Sequence, residues 1–267
     1  MATVTAPNGK AFATERVVDA PEVTHEASWS TLYRLAGIAA LAVVALVPIG
    51  ALVYILWPPP TTVTGWFAQY HSNPIVGLLN QDLLMMIDQA ILIGLFLGLF
   101  VALRRSSQSL MTLALTLGLV GTAIYFASNT AFNMLNLSGQ YAAATSEAER
   151  IGLVGAGQAM MATYQGTAFN VGYVMQGVAD LLIAIVMLRS TIFSRTTAWV
   201  GIAYGVTALV PASAGTLGFV LAFLSLVPMV VWFVLIGRRF FQLARPADGP
   251  SPMRSFGSNS QSAPARP

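Results

Sequence analysis

The chain has 267 residues, 56% of them hydrophobic and 9% charged, with a mean hydropathy of +0.70 and a formal net charge of +3. Charged side chains make up about 25% of an ordinary soluble domain, so this composition excludes a soluble globular protein and points to a bilayer. With no cysteine, disulfides, iron–sulfur clusters, thiolate zinc and cysteine nucleophiles are excluded, and with His25 and His71 as the only histidines so is a three-histidine metal centre.

Residues 1–31 carry Lys10, Glu15, Arg16, Asp19, Glu22, His25 and Glu26 without an apolar period, and are expected to form a disordered leader. Residues 32–245 are expected to form one all-α membrane domain, because a helix crosses about 30 Å of hydrocarbon with roughly 20 apolar residues. Six runs qualify as spans: Leu35–Trp57, Leu83–Leu103, Leu110–Leu135, Thr167–Leu188, Ala198–Val210 and Leu217–Ile236. The first starts too far into the chain for a secretory signal and is expected to stay as an anchor. The segment Thr61–Asn80, with Trp66, Phe67, Tyr70 and His71, suits an interfacial loop with aromatic anchors. Ile151–Ala162 is apolar but too short to cross. It follows a helix-opening Ser146-Glu147-Ala148-Glu149-Arg150, and is expected to be an outer-face helix. The fifth run is short and closes on Pro211-Ala212-Ser213-Ala214-Gly215, a turn compatible with a full crossing or a re-entrant break. Residues 246–267 are rich in proline, serine and glycine and are expected to form a disordered tail.

Lysine and arginine resist translocation. Six spans put 12 of the 13 basic residues on one side, with Arg150 alone on the other, so both termini are expected to face the cytoplasm. The basic balance then implies contact with anionic lipid at the cytoplasmic face, not nucleic-acid binding, since a basic stripe with interleaved aromatics is missing from the sequence.

An ionisable group inside a span costs a few kcal/mol even on lenient insertion scales, which singles out Asp88 and Asp180. Asp82 falls at the outer boundary, where water reaches it. On the second span Gln81, Asp82, Met85, Asp88 and Gln89 project as one stripe at 100° per residue. Thr122, Tyr125, Asn129, Asn133 and Asn136 do so on the third, and Asn170, Tyr173, Gln176 and Asp180 on the fourth. With outer boundaries near Asn80, Leu135 and Gln165, Asp88, Asn129 and Tyr173 fall about 9 to 12 Å deep and Asp180 about 22 Å. The pattern predicts an outer-half polar cavity with candidate ligand-binding residues Asp88, Gln89, Asn129, Asn133, Asn170, Tyr173, Gln176 and Asp180, the last forming a separate lower site. Asp88 is expected to carry a proton at neutral pH unless a cation is bound. No metal or cofactor is expected. Gly94 with Gly98 and Gly201 with Gly205 are small-xxx-small pairs for close helix packing, and Pro48 and Pro228 are expected to kink their helices. Gly177-Val178-Ala179-Asp180 lacks the second glycine of an intramembrane aspartyl protease motif, and a span without histidine excludes a rhomboid-type serine protease.

Gly157-Gln158-Ala159-Met160, the run Tyr164-Gln165-Gly166-Thr167-Ala168-Phe169-Asn170, and Arg189-Ser190 through Phe193-Ser194 resemble a bacterial family. Its six-helix membrane proteins are catalogued as a domain of unknown function, number four-three-eight-six. The resemblance covers roughly Tyr33 to Leu243 and includes Val210-Pro211 and Leu226-Val227-Pro228. It implies a six-helix fold in a bacterial cytoplasmic membrane and no catalytic residue. Three functions fit the sequence: binding or sensing of a small polar ligand or cation, a structural role in which polar residues join helices, and an intramembrane enzyme using Asp88 or Asp180.

Overall fold

The computed structural model describes residues 29–211 and 214–245. All but the last three residues of the expected leader, and the whole expected tail, lie outside the described residues. In chain order the helices are α1 Ser30–Leu56, α2 Val63–Ser72, α3 Pro74–Asn80, α4 Leu83–Leu103, α5 Gln108–Ser128, α6 Ala131–Ala143, α7 Glu147–Tyr164, α8 Thr167–Arg189, α9 Arg195–Thr207 and α10 Gly215–Leu243. The described residues contain no strand.

Six of these helices form a closed antiparallel ring in the order α1, α4, α5, α8, α9, α10 and back to α1, with α4 also touching α8 across the middle. The glycines record the close approaches that set the directions. A Cβ on Gly98 of α4 would lie 2.5 Å from the Ala36 Cβ on α1, and one on Gly50 of α1 would lie 3.2 Å from the methyl of Met85, so α1 and α4 run in opposite directions. Gly118 meets Phe96, Gly121 meets the backbone of Gly172, Gly201 meets Trp232 and Gly237 meets Gly37, and between α8 and α9 the contacts run in reverse order, Ala184 with Gly201, Leu181 with Gly205 and Gly177 with Ala208. Small residues let helices approach where lipid provides no hydrophobic drive to associate. Of the two predicted pairs, Gly201 and Gly205 both sit at such contacts, whereas Gly94 faces open space and only Gly98 packs. Gly98→Val is therefore expected to lower stability by about 1–3 kcal/mol through overpacking, with Gly94→Ala close to neutral. Melting curves of the two variants in detergent check this.

Alternating directions bring the start of α1 and the end of α10 to the same end of the ring. There Tyr33 stacks on Phe240 at 5.7 Å, Phe193 meets Phe240 edge-on at 5.9 Å, the Arg239 Nε donates to the Ile192 carbonyl at 2.5 Å, and Arg104 lies 5.7 Å over the Trp29 ring. Arginines 34, 104, 105, 189, 195, 238, 239 and 245 collect at this basic end. The opposite end carries a cap of α2, α3, α6 and α7 built on Trp66, Phe67, Tyr70 and Met134, and Arg150 belongs to it.

Three expectations change. The Thr61–Asn80 loop is two short helices, opened by Thr62 and Asn73, whose side chains accept from the Gly65 and Val76 amides at 3.1 Å. The third run is not one helix to Leu135. α5 ends at Ser128, Asn129 is extended at φ −73°, ψ 128°, and its Oδ1 accepts from the Ala131 amide at 3.0 Å to start α6 in the cap. The fifth run gives only the 13 residues of α9, about 20 Å of helix at 1.5 Å per residue. That is too short to cross alone, so five helical stretches, not six, are long and apolar enough to span a bilayer. α9 stops part-way along α8: a Cβ on Gly177 would lie 2.9 Å from the Ala208 carbonyl. From Ala208 the backbone leaves the helix, and at Pro211 it comes so close to Gly218 that a Cβ there would lie 2.1 Å from the Pro211 oxygen, while Gly215 opens α10 at φ +71°.

Candidate functional site

Asn80, Gln81 and Asp82 tie the cap to the ring. Asp82 adopts φ 66°, ψ 28°, a left-handed conformation that aspartate and asparagine reach more readily than other side-chain-bearing residues. It turns the chain out of α3 into α4 and lifts its carboxylate among three phenols: Tyr54 of α1 donates to Oδ1, Tyr164 of α7 donates to Oδ2, and Tyr125 of α5 also hydrogen-bonds it. Gln81, fully buried, accepts from the Tyr70 hydroxyl at 2.5 Å, and its amide faces the Thr130 hydroxyl at 3.5 Å and the Met161 sulfur at 3.6 Å. Its carbonyl accepts from Asn129 Nδ2 at 3.0 Å, and Asn80 Nδ2 donates to the Trp57 carbonyl at 2.8 Å.

Burial pushes the Asp82 carboxyl above the usual carboxylate range, against the Tyr164, Tyr54 and Tyr125 hydroxyls, which favour the ionised form. The native state thus binds more protons than the unfolded chain from about pH 4 up to the native pKa. Over that window this group's contribution to stability falls as pH rises. Asp82→Asn is expected to flatten that part of the melting temperature against pH curve measured in detergent.

Deeper in the ring, Gln89 of α4 and Gln176 of α8 form a reciprocal amide pair: Gln89 Nε2 donates to Gln176 Oε1 at 3.0 Å and Gln176 Nε2 donates to Gln89 Oε1 at 2.5 Å. The Thr122 hydroxyl of α5 donates to Gln89 Oε1 at 3.3 Å and lies 3.1 Å from Gln176 Nε2. One clasp therefore holds three helices and fixes a common depth. From it Asp180 lies one turn, about 6 Å, towards the basic end on α8, and Asp88 about 1.5 Å towards the cap on α4, by the rise of 1.5 Å per residue.

Asp88 is 5% exposed, and its Oδ1 is buried without a hydrogen-bond partner. Asp180 is 8% exposed and hydrogen-bonds the Tyr204 hydroxyl of α9. Tyr204 lies within electrostatic reach of Asp180, Tyr173 and Asp88 together, and its ring packs on Trp232 at 5.5 Å and Phe233 at 6.1 Å. No basic side chain acts on Asp82, Asp88 or Asp180 among the described residues. Below this level the ring is apolar, filled by Leu99, Leu103, Ile183, Met187, Ile236 and Phe240. The grooves found near the α4–α5 turn, lined by Arg104 to Gln108 and by Ser107 to Thr116, are surface features at the basic end.

The structure gathers Asp88, Gln89, Tyr173, Gln176 and Asp180 inside the ring and separates three other predicted site residues from them. Asn129 meets Gln81, not Asp88, because α5 ends seven residues before the assumed boundary and everything beyond Ser128 belongs to the cap. Asn133 is exposed on α6, off the projected α5 stripe. Asn170 turns back to the carbonyls of Gly166 at 2.9 Å and Gln165 at 3.3 Å at the start of its own helix. Gln81 and Asp82 leave the predicted α4 stripe, since a left-handed residue breaks the 100° projection. Asp180 lies about 7.5 Å below Asp88 along the helix axes, by the clasp register and a rise of 1.5 Å per residue, with Tyr204 against it. Tyr54, Tyr164 and Tyr204, which complete these groups, were marked by no spacing, since they converge only through tertiary packing. No protein-family model, curated protein or solved structure matches the chain.

Proposed function

We propose that this is a six-crossing integral protein of a bacterial cytoplasmic membrane, with its basic end cytoplasmic and its cap outside, that takes up a small cation, the proton included, at Asp88. The even number of antiparallel ring segments and the gathering of arginines at one end support the topology, with α9 and the stretch to Pro211 together making the fifth crossing. The basic end then faces anionic lipid. Both features accord with the resemblance to the bacterial six-helix family, to which we assign the chain on that ground.

The observation that carries the reading is the unpartnered, buried Asp88 Oδ1 in a ring interior with no basic side chain against it. A carboxylate there needs a positive charge, because a buried unpaired ion is far costlier than a hydrogen-bonded amide. Helix joining by polar groups accounts for Gln89, Thr122 and Gln176, which satisfy one another, and leaves Asp88 unexplained. The apolar fill below Asp180 favours uptake and release at the capped face over passage.

Thermal unfolding in detergent tests this, with wild type and the near-isosteric Asp88→Asn followed over pH and over Na⁺, K⁺, Li⁺ and methylammonium at constant ionic strength. The wild type is expected to show a dependence on pH or on one cation that Asp88→Asn lacks. Identical curves would refute the site.

A further inference from the structure

We infer that the turn between α4 and α5 at the basic end binds one anionic phospholipid, with the phosphate against Arg104, Arg105 and Ser107 and an acyl chain along Thr112, Leu113 and Thr116. Placing that lipid in the cytoplasmic leaflet rests on the proposed topology, whereas the site itself does not. The described acids are Asp82, Asp88, Glu147, Glu149 and Asp180, all in the ring interior or the cap, so among the described residues no carboxylate answers the arginines of the basic end. Two of those arginines, Arg104 and Arg105, line one groove of about 470 Å³ together with Ser106, Ser107 and Gln108. The Trp29 ring, 5.7 Å from the Arg104 guanidinium carbon, steadies the first of them.

Every side chain on that groove can donate a hydrogen bond. Ser107 precedes α5 at φ −163°, ψ 95°, and its side chain makes no capping bond, so the amides of Gln108, Ser109 and Leu110 are left without an acceptor among the described residues. Free amides at a helix start and a guanidinium fork are the donors that phosphate oxygens take. A second groove, of about 910 Å³, shares Ser107 and Gln108 with the first and continues along α5 past Thr112 and Leu113 to Thr116. From Ser107 to Thr116 the chain rises about 14 Å at 1.5 Å per residue, close to the roughly 15 Å of hydrocarbon in one leaflet. The Thr116 hydroxyl donates to the Thr112 carbonyl at 2.9 Å, so it needs no other partner, and its methyl can lie with the exposed Leu113 side chain against an alkyl chain. A free phosphate ion would use the first groove alone. The continuity of the two grooves at membrane depth selects a lipid.

Native mass spectrometry of the detergent-purified protein tests this with added phosphatidylglycerol, phosphatidylcholine or inorganic phosphate, each variant being checked for folding by its melting curve. One phosphatidylglycerol is expected to bind in preference to phosphatidylcholine, and excess inorganic phosphate is expected not to displace it. The double variant Arg104→Gln with Arg105→Gln should weaken that binding by about tenfold or more. Arg105→Gln alone, which keeps the Trp29 contact, should weaken it in the same direction. Removing the same charge at the exposed Arg195 and Arg245 of the same end should weaken it far less. Leu113→Trp, which fills the second groove from the lipid side, should also weaken it. Equal losses in the two double variants would mean attraction by general surface charge and overturn the site. Displacement by inorganic phosphate, or an unchanged affinity in Leu113→Trp, would overturn the lipid as occupant. Detergent has no sides, so failure of this binding leaves the topology standing, and failure of the topology moves the site to the other leaflet without removing it.

Discussion

Replacing Asp82 by alanine is expected to lower stability by about 3–5 kcal/mol, the combined effect of several orphaned hydroxyls and a strained backbone. The hydroxyls of Tyr54, Tyr125 and Tyr164 would lose their common acceptor, and each buried orphan costs about 1–3 kcal/mol. Alanine also resists the left-handed backbone at this position. Because these phenols come from α1, α5 and α7, the damage should appear as the cap separating from the ring. Hydrogen exchange should rise first across residues 61–82 and 129–166. Asp82→Asn keeps an acceptor and tolerates the same backbone, so it should retain most of the protection. Equal exchange in wild type and Asp82→Ala would mean that the cap is held by its Trp66, Phe67, Tyr70 and Met134 core instead.

The second large effect is expected at the clasp. Gln89→Leu removes both halves of the amide pair and the acceptor of Thr122, leaving Gln176 and Thr122 buried with no partner from α4. Interhelical hydrogen bonds in membranes contribute about 0.6–2 kcal/mol each, so the loss should reach about 2–4 kcal/mol. The double variant Gln89→Leu with Gln176→Leu should recover part of it, because an apolar pair leaves fewer orphans than a broken polar one. Denaturant melts of the two single variants and the double variant give the coupling directly.

Much of the architecture was legible in the sequence because helix length and hydropathy are local. The α4 run matches Leu83–Leu103 residue for residue, and the α8 run matches to within one residue at its end. Inside those helices the period placed Asp88, Gln89, Tyr173, Gln176 and Asp180 on faces that meet. The reading weakened where the chain leaves the helix. Leu110 to Leu135 has the composition of one span, and only the side chain of Asn129, bonding both Ala131 and Gln81, shows that the helix stops. Asp82 read as a wetted boundary acid because its three phenols lie 28, 43 and 82 residues away in sequence. The length of α9 was ambiguous for a similar reason. Apolar residues from Ala198 to Val210 say that the segment lies in an apolar layer, while the helix end at Thr207 depends on its packing against Gly177 of α8.

The parity of crossings is the claim on which the rest depends, and the absence of native cysteine makes it directly measurable. Single cysteines at Gly152 in the cap, at Ser109 at the start of α5 and at Arg245 after α10 occupy exposed positions. Sealed, right-side-out vesicles would be treated with a membrane-impermeant maleimide. Labelling is expected at position 152 from outside and at 109 and 245 only after the membrane is opened. Positions 152 and 245 labelling from the same side would mean an odd number of crossings, and would contradict the six-crossing bundle.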